Sequence, residues 1–302
     1  MQSCIYEDMK ACEGDFYGNI YISNDWKNAP EADPEGMAYF LFPENGKAYW
    51  RFDIPGRTGG KIKIPTGSYK FIMFNDDAVN VIELNDTNFD SISLSTPEGP
   101  LFYGCDNIKD YPESVISLNQ VTLLNPDKMW CYSIDEINVR MPSKEQIINT
   151  APIPVTATYH VEVNNVSNLN GVKCVSGAMS GMAKSINLHN RELSSSAVIH
   201  PCNLAKSEVN QITGKFQTFG RCSSENISNM LFLFIWLSDG RRYVYNYDVT
   251  EIIKGADDPM DVWIVIDNLQ LPESDPIGGD FNVSVDGWNT IYINYSDATG
   301  KS

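Results

Sequence analysis

Several features that would point to familiar chemistry are rare or missing in this 302-residue chain. The longest uninterrupted apolar run covers only residues 230–237, whereas a membrane-spanning helix needs about 20 residues. The chain has only three histidines and no Cys-X-X-Cys pair, so zinc and iron–sulfur sites are poorly supported. Walker loops, dinucleotide fingerprints and the common hydrolase motifs are also missing. The sequence therefore predicts a non-enzymatic protein with no catalytic residues, no metal site and no cofactor.

Positive charge is also scarce. There are 22 Lys and Arg residues against 39 Asp and Glu residues, which gives a net charge of −17. Nucleic-acid binding needs clustered cations that displace phosphate counterions, and the chain's basic doublet, Arg241-Arg242, follows an Asp-Gly turn. We therefore do not expect the protein to bind nucleic acid, or to bind anionic lipid directly through its charge.

The apolar residues that are present follow a β pattern. Short aromatic-rich or alternating segments recur about every ten residues and are separated by turns, which is typical of β-sandwiches rather than βαβ units. In 230–237 both faces of the predicted strand are apolar, so it should be covered on both sides. We expect an all-β fold with only short helices and with strands at 15–22, 37–42, 47–54, 61–64, 68–74, 79–84, 91–94, 115–124, 129–139, 156–163, 172–179, 214–218, 230–237, 242–247, 262–266, 281–285 and 288–295.

The pattern changes near residue 145. Ser143 to Gln146 reads as a capping box that opens a short helix over 143–150, and two prolines in 151–154 then form a stiff connector. We therefore predict an N-terminal anchor segment (1–14), a first sandwich (15–150) and a second sandwich (151–302). Because two helical turns are too short to be stable alone, Ile147 and Ile148 should be buried, which would hold the sandwiches at a fixed angle in an elongated molecule.

Seven cysteines leave one without a partner if the others pair. Cys4 follows Ser3, as in bacterial lipoproteins, where the signal peptide is removed before a cysteine that carries diacylglycerol. No hydrophobic signal segment precedes Cys4, so we expect the mature form of an exported protein with lipid on Cys4; the alternative is an ordinary terminal cysteine. The other six cysteines allow 15 pairings, and free buried cysteines remain open.

The sequence contains two weaker candidates for chemistry. Cys202 and His200 would need an orienting group and an oxyanion hole to act as a catalytic dyad, and the sequence identifies neither. The loops at 75–77 and 85–86 are rich in carboxylate and amide oxygens but lack the spacing of a calcium-binding loop. Solvated turns are the simpler interpretation, and calcium binding stays open.

The order of motifs in residues 4–105 resembles a known family. It includes Asp25-Trp26, Pro34-Glu35-Gly36-Met37, Ile64-Pro65-Thr66-Gly67-Ser68-Tyr69 and Phe74-Asn75-Asp76-Asp77, with a weaker likeness at 176–183 and Trp288. The sequence is similar to lipoproteins of Bacteroidales related to the fimbrial anchor and fimbrillin subunits of type V pili. The resemblance implies two transthyretin-like β-sandwiches, a lipid on Cys4 and exposure at the cell outer membrane.

The resemblance also implies partners. Stalk pilins polymerise after cleavage at an Arg or Lys, but Arg57 and Arg140 have no clear cleavage context, which favours an anchor or accessory subunit, at the base or the tip. Its expected partners are other fimbrial subunits, bound by addition of a donor strand; the alternative is a glycan-binding surface lipoprotein of a polysaccharide-uptake system. Asp90-Ser91-Ile92 is similar to the O-glycosylation signal of exported proteins in these bacteria, which makes Ser91 a candidate acceptor.

Overall fold

The computed structural model describes residues 16–105, 110–141, 145–207, 210–274 and 287–293. Within these ranges the helices are short: α1 (Glu113–Ile116), α2 (Thr250–Lys254) and one 3-10 turn at Leu169–Gly171. The strands are β1 (Tyr17–Asn24), β2 (Gly36–Pro43), β3 (Trp50–Pro55), β4 (Gly59–Pro65), β5 (Gly67–Asn75), β6 (Ile82–Leu84), β7 (Ser93–Ser95), β8 (Trp130–Val139), β9 (Gln146–Thr150), β10 (Ile153–Pro154), β11 (Ala157–Asn164), β12 (Val172–Ala183), β13 (Ser185–Asn187), β14 (Ala197–Cys202), β15 (Leu204–Lys206), β16 (Ile212–Thr218), β17 (Met230–Leu237), β18 (Arg242–Asp248), β19 (Asp261–Asp267) and β20 (Asn289–Ile293). The predicted all-β fold with only short helices is confirmed. No helix in these described ranges is long and apolar enough to cross a membrane.

The first sandwich consists of a three-stranded sheet, in the order β4-β1-β9, and a five-stranded sheet, in the order β10-β8-β5-β2-β3. One apolar core contains residues from both sheets, such as Ile20 of β1, Tyr39 of β2 and Phe71 of β5, all fully buried. The two sheets therefore face each other across this core, as in other sandwiches.

The second sandwich repeats this plan. Its four-stranded sheet has the order β15-β16-β11-β19, and its five-stranded sheet has the order β14-β12-β17-β18-β20. Their shared core includes Val161 of β11, Leu233 of β17 and Ile264 of β19. Burial alternates along β11, because every second side chain of this strand points into the core.

The central strands β2 and β17 are buried on both faces. Phe232, Phe234 and Trp236 of β17 point away from the second core and pack under Phe102 and Trp288. This confirms the prediction for 230–237.

The outer face of β2 is covered in a similar way. Phe40 and Phe42 pack with Phe89 and Leu94 from the long connection between β5 and β8, and with Ile186 of β13. β13 also pairs with β7 in a small sheet of the order β13-β7-β6. Residues of each predicted domain thus help to cover the apolar outer sheet face of the other domain. The division at residue 150 remains a prediction, which concerns whether the two parts fold independently.

The predicted helix over 143–150 is wrong. Gln146–Thr150 is strand β9, which pairs in parallel with β1, while 142–144 lie outside the described residues. Strand geometry sends neighbouring side chains to opposite faces, so Ile148 is buried but Ile147, also predicted to be buried, is 62% exposed. The elongated shape and fixed interdomain angle inferred from this region remain predictions.

Two other predicted strands also differ. Within 115–124, the chain forms helix α1 and then an irregular segment with isolated bridges at Thr122 and Leu123. The predicted strand 281–285 falls outside the described residues, and β20 pairs in parallel with β18.

The structure selects one pairing from the cysteines. Cys105 and Cys174 form a disulfide that joins the long β5–β8 connection to β12 of the second sandwich. Cys131, Cys202 and Cys222 are free and buried, while Cys4 and Cys12 lie outside the described residues.

Candidate functional site

One side of the first sandwich has two strand edges next to each other. β9 is the outer strand of its sheet and pairs with β1 alone, and β8 is covered by β10 only at Trp130 and Cys131. Over Tyr132–Val139, within the part of the chain that the structure describes, the outer edge of β8 has no strand partner. Alternate residues of such an edge direct N–H and C=O groups outward, where another strand can bind them.

A cleft of about 580 Å³ lies between these two edges, which we call the β8–β9 mouth. Ile137 and Ile148 line it and also belong to the first core. Met141 and Ile147 line it as well, yet each is 62% exposed. Exposed apolar side chains beside an unpaired strand edge are typical of a surface that another chain covers.

Polar groups mark the rim of the mouth. The Gln146 side chain donates a hydrogen bond from Nε2 to the Asn138 carbonyl oxygen at 3.0 Å, which shows that this carbonyl points into the mouth. Glu136 and Arg140 supply one charge of each sign among the lining residues. The opposite side of the sandwich is closed differently, because β3 and β4 are joined by a short turn that passes from one sheet to the other.

A second surface feature lies on the outer face of the second sandwich. The His160 and Trp263 rings stack with centroids 4.2 Å apart and an angle of 2° between their planes. Asp261 holds both rings, since its carboxylate lies 2.8 Å from His160 Nε2 and accepts from Trp263 Nε1 at 3.3 Å. Trp263 is nevertheless 53% exposed, and Lys215 is the cross-strand neighbour of His160 on the other side. The result is a fixed aromatic surface flanked by charged and hydrogen-bonding groups.

Only one of the two modification sites predicted from the sequence lies among the described residues. Cys4, the predicted lipid attachment site, lies outside the described residues. Ser91 is half-buried in a turn where its N–H bonds the Asn88 carbonyl oxygen, between an exposed Asp90 and a buried Ile92. Its glycosylation stays a prediction.

The candidate catalytic dyad, His200 and Cys202, lies in the protein interior. His200 and Cys202 are fully buried on β14; burial lowers the pKa of His200 to about 4 and raises the pKa of Cys202. A buried neutral imidazole and a buried protonated thiol make a poor catalytic pair.

In the acidic turn after β5, hydrogen bonds within the protein engage the carboxylate of Asp77. Both carboxylate oxygens of Asp77 accept hydrogen bonds, from Asn75 Nδ2 and from the Glu35 N–H. Across the described ranges, no three His, Cys, Asp or Glu side chains are grouped so that they could hold a metal ion.

Sequence reasoning did not find the β8–β9 mouth. The signal available was the β-branched content of Gln-Ile-Ile-Asn-Thr, which suits a short strand, but the preceding Ser-Lys-Glu favoured a helix.

Comparison with known proteins agrees with this architecture. The chain is 22% identical over 303 aligned positions to "Putative fimbrium anchoring subunit Fim4B" of Bacteroides ovatus, covering 89% of this chain and 86% of that protein. Its fold matches the crystal structure titled as a putative adhesin of Bacteroides ovatus, with a TM-score of 0.66, 19% identity, and 91% and 99% of the two chains covered.

The fold also matches the fimbrial anchor protein Mfa2 of Porphyromonas gingivalis, with a TM-score of 0.51, 11% identity, and 82% and 90% of the two chains covered. The resemblance stated from the sequence is thereby confirmed. The model of the family described as "Domain of unknown function (DUF5119)" matches residues 3–203, more than half of the chain. The chain therefore belongs to the DUF5119 family.

Proposed function

We propose that this protein is a cell-surface subunit of a fimbrium, of the anchor or accessory type, that binds another subunit by accepting a strand at the β8–β9 mouth. The observation that carries the proposal is the pair of adjacent strand edges with exposed Met141 and Ile147 between them. The similarity to a named fimbrium anchoring subunit supports the same assignment.

The geometry sets what the incoming strand must look like. The open edge of β8 spans the eight residues Tyr132–Val139, which corresponds to about 26 Å of strand. Backbone hydrogen bonds to this edge would supply affinity without sequence preference. Since the floor of the mouth is apolar and its rim polar, the strand should alternate apolar and polar residues.

The test uses the full chain and each fimbrial subunit encoded by neighbouring genes. Ile147→Lys places a charge in the mouth at an exposed position, so the protein should stay folded but lose strand capture. Ile116→Lys is the matched control, because Ile116 is also exposed (54%) but lies on α1.

Complex formation is followed by size-exclusion chromatography and by amide hydrogen exchange of β8 and β9. We expect capture by the native protein and the control, with slowed exchange at both edges. Equal capture by Ile147→Lys, or slowed exchange confined to other strands, would show that the mouth is not the site.

We also propose that the protein is held at the outer membrane by lipid on Cys4. The support is the Ser3-Cys4 context and the family resemblance. Mass spectrometry of the protein purified from its native membrane should find a diacylglyceryl group on Cys4, and Cys4→Ala should release the protein from the membrane. A native mass equal to polypeptide plus lipid would exclude glycosylation at Ser91.

Glycan binding is a second candidate function, favoured by the stacked pair of Trp263 and His160. An exposed indole with adjacent hydrogen-bonding groups suits the apolar face and the hydroxyls of a sugar ring. Affinity electrophoresis against polysaccharides would show retardation that Trp263→Ala abolishes. Trp50→Ala is the control, since Trp50 is 39% exposed on β3 of the other sandwich; no retardation, or equal loss in both variants, would reject this candidate.

A further inference from the structure

A cavity separate from both candidate sites lies between the proline connector that follows β9 and residues of the second half of the chain. It has a volume of about 360 Å³, within the size range of small-molecule pockets. Pro154 and Val155 of the connector line it, together with Ile186 and Leu193 around β13, and Phe219 and Met260 of the second sandwich. Most of its lining is apolar, and neither the strand-capture site nor the Trp263 surface uses it.

Two cations stand out in this apolar lining. Arg191 and Arg221 both contribute to the cavity, in a chain with a net charge of −17. Within the described ranges neither of them forms an ion pair: Arg221 donates only to neutral oxygens, those of Asn229 Oδ1 and the Ile227 carbonyl. Arg191 is exposed, so it stands at the rim of the cavity rather than on its floor.

The nearby polar groups do not neutralise these arginines. Asp258 is near the lining residues in sequence, but it is not one of them, and its Oδ1 accepts a hydrogen bond from the Met260 N–H. Tyr159 also lines the cavity, and burial raises the pKa of its hydroxyl, so it stays uncharged. Two guanidinium groups beside an apolar cavity, neither in an ion pair with a described residue, form a site that is complementary to an amphiphilic anion.

We propose that this cavity binds a small amphiphilic carboxylate, such as a medium-chain fatty acid, with its chain among the apolar side chains and its carboxylate at Arg191 and Arg221. Burial of each methylene group favours binding, and the guanidinium groups select the ionised head. Because the lining comes from the connector, the β13 region and the second sandwich, the bound molecule would hold these segments together.

The experiment compares ligands that differ only in the head group. The full chain is titrated by isothermal calorimetry with decanoate, decanol and decyltrimethylammonium, each below its micellar concentration. We expect saturable 1:1 binding of decanoate, binding of decanol weaker by at least tenfold, and no binding of the cation. Equal affinity for all three would show non-specific partitioning and would overturn the proposal.

Variants locate the site. Arg191→Gln changes an exposed side chain that forms no ion pair with the described part of the chain, so the fold should persist while decanoate affinity falls about three- to tenfold. Leu193→Trp should abolish binding by filling the cavity. Lys63→Gln, an exposed change on β4, should leave the affinity unchanged. Unchanged affinity in both Arg191→Gln and Leu193→Trp would place decanoate elsewhere and refute the assignment.

Discussion

Gln146 and Asn138 are joined across the β8–β9 mouth, with Gln146 Nε2 donating to the Asn138 carbonyl oxygen at 3.0 Å. This bond connects strands that belong to opposite sheets, so a side chain occupies a backbone acceptor on the open edge of β8. An incoming strand that uses this acceptor has to displace the amide.

Removal of that amide should therefore assist strand capture. In Gln146→Ala the Asn138 carbonyl is free for an incoming N–H, and a net hydrogen bond contributes about 1 kcal/mol. We expect tighter binding of the partner subunit by about two- to tenfold, measured by calorimetry. Weaker binding in this variant would indicate that Gln146 itself contacts the partner.

The two isoleucines of β9 should differ in their effect on stability. Ile148 belongs to the first core, so Ile148→Ala should lower the free energy of unfolding by about 2–4 kcal/mol. Ile147 is mostly exposed, so Ile147→Ala should change the free energy of unfolding by less than about 0.5 kcal/mol. Urea denaturation of both variants checks this; equal losses would favour the helix that the sequence predicted.

His200 should make the fold sensitive to mild acid. Its pKa is lowered by burial to about 4 from the usual 6.5, so the unfolded chain binds a proton between these values and the folded chain does not. The free energy of unfolding should therefore fall as the pH decreases from 6.5 to 4, by about 3 kcal/mol from this group.

Carboxylates titrate in the same range, so the measurement needs a comparison. His200→Leu should show a smaller loss of stability between pH 7 and pH 4.5 than the native protein, in urea melts at both pH values. Val198→Ala, at a buried position on the same strand with no titratable group, is the control for lost packing and should keep the native pH dependence. A native-like slope in His200→Leu would contradict the prediction.

The disulfide between Cys105 and Cys174 closes a loop with a sequence separation of 69. A loop of this length should contribute about 2–4 kcal/mol to stability by restricting the unfolded chain. We expect the free energy of unfolding of the double variant Cys105→Ser/Cys174→Ser, measured by urea denaturation, to be lower by that amount. A reducing agent should destabilise the native protein and leave the double variant unchanged.

The cover over β17 should be essential to solubility. Phe102 packs edge-on against Phe234 and Trp236, with ring centroids 4.9 and 5.3 Å apart. Phe102→Ala should cost about 3–5 kcal/mol and increase binding of a hydrophobic dye, since it uncovers these rings. Phe16→Ala, at an exposed position (49%), is the control and should change neither quantity much.

Local patterns in the sequence predicted most of the strands because each contains its own evidence. The 230–237 run is apolar at every position, and the structure indeed covers both of its faces. β9 was missed because its pairing with β1 comes from residues more than a hundred positions earlier, which a local capping signal does not reveal. The mouth and the cavity depend on which strand ends each sheet, so they appear only once the sheet order is known.

The disulfide between Cys105 and Cys174 also determines how the molecule would behave under tension. Once the sheets have unfolded, a pull applied between residue 16 and residue 293 would pass through the Cys105–Cys174 bond, so the loop that contains β8–β11 and the proline connector would carry no load. At about 3.4 Å per residue, the 69 positions it bypasses remove roughly 230 Å from the length to which the chain can be drawn out. Mechanically, the oxidised protein is a shorter and less extensible tether than its 302 residues alone would make.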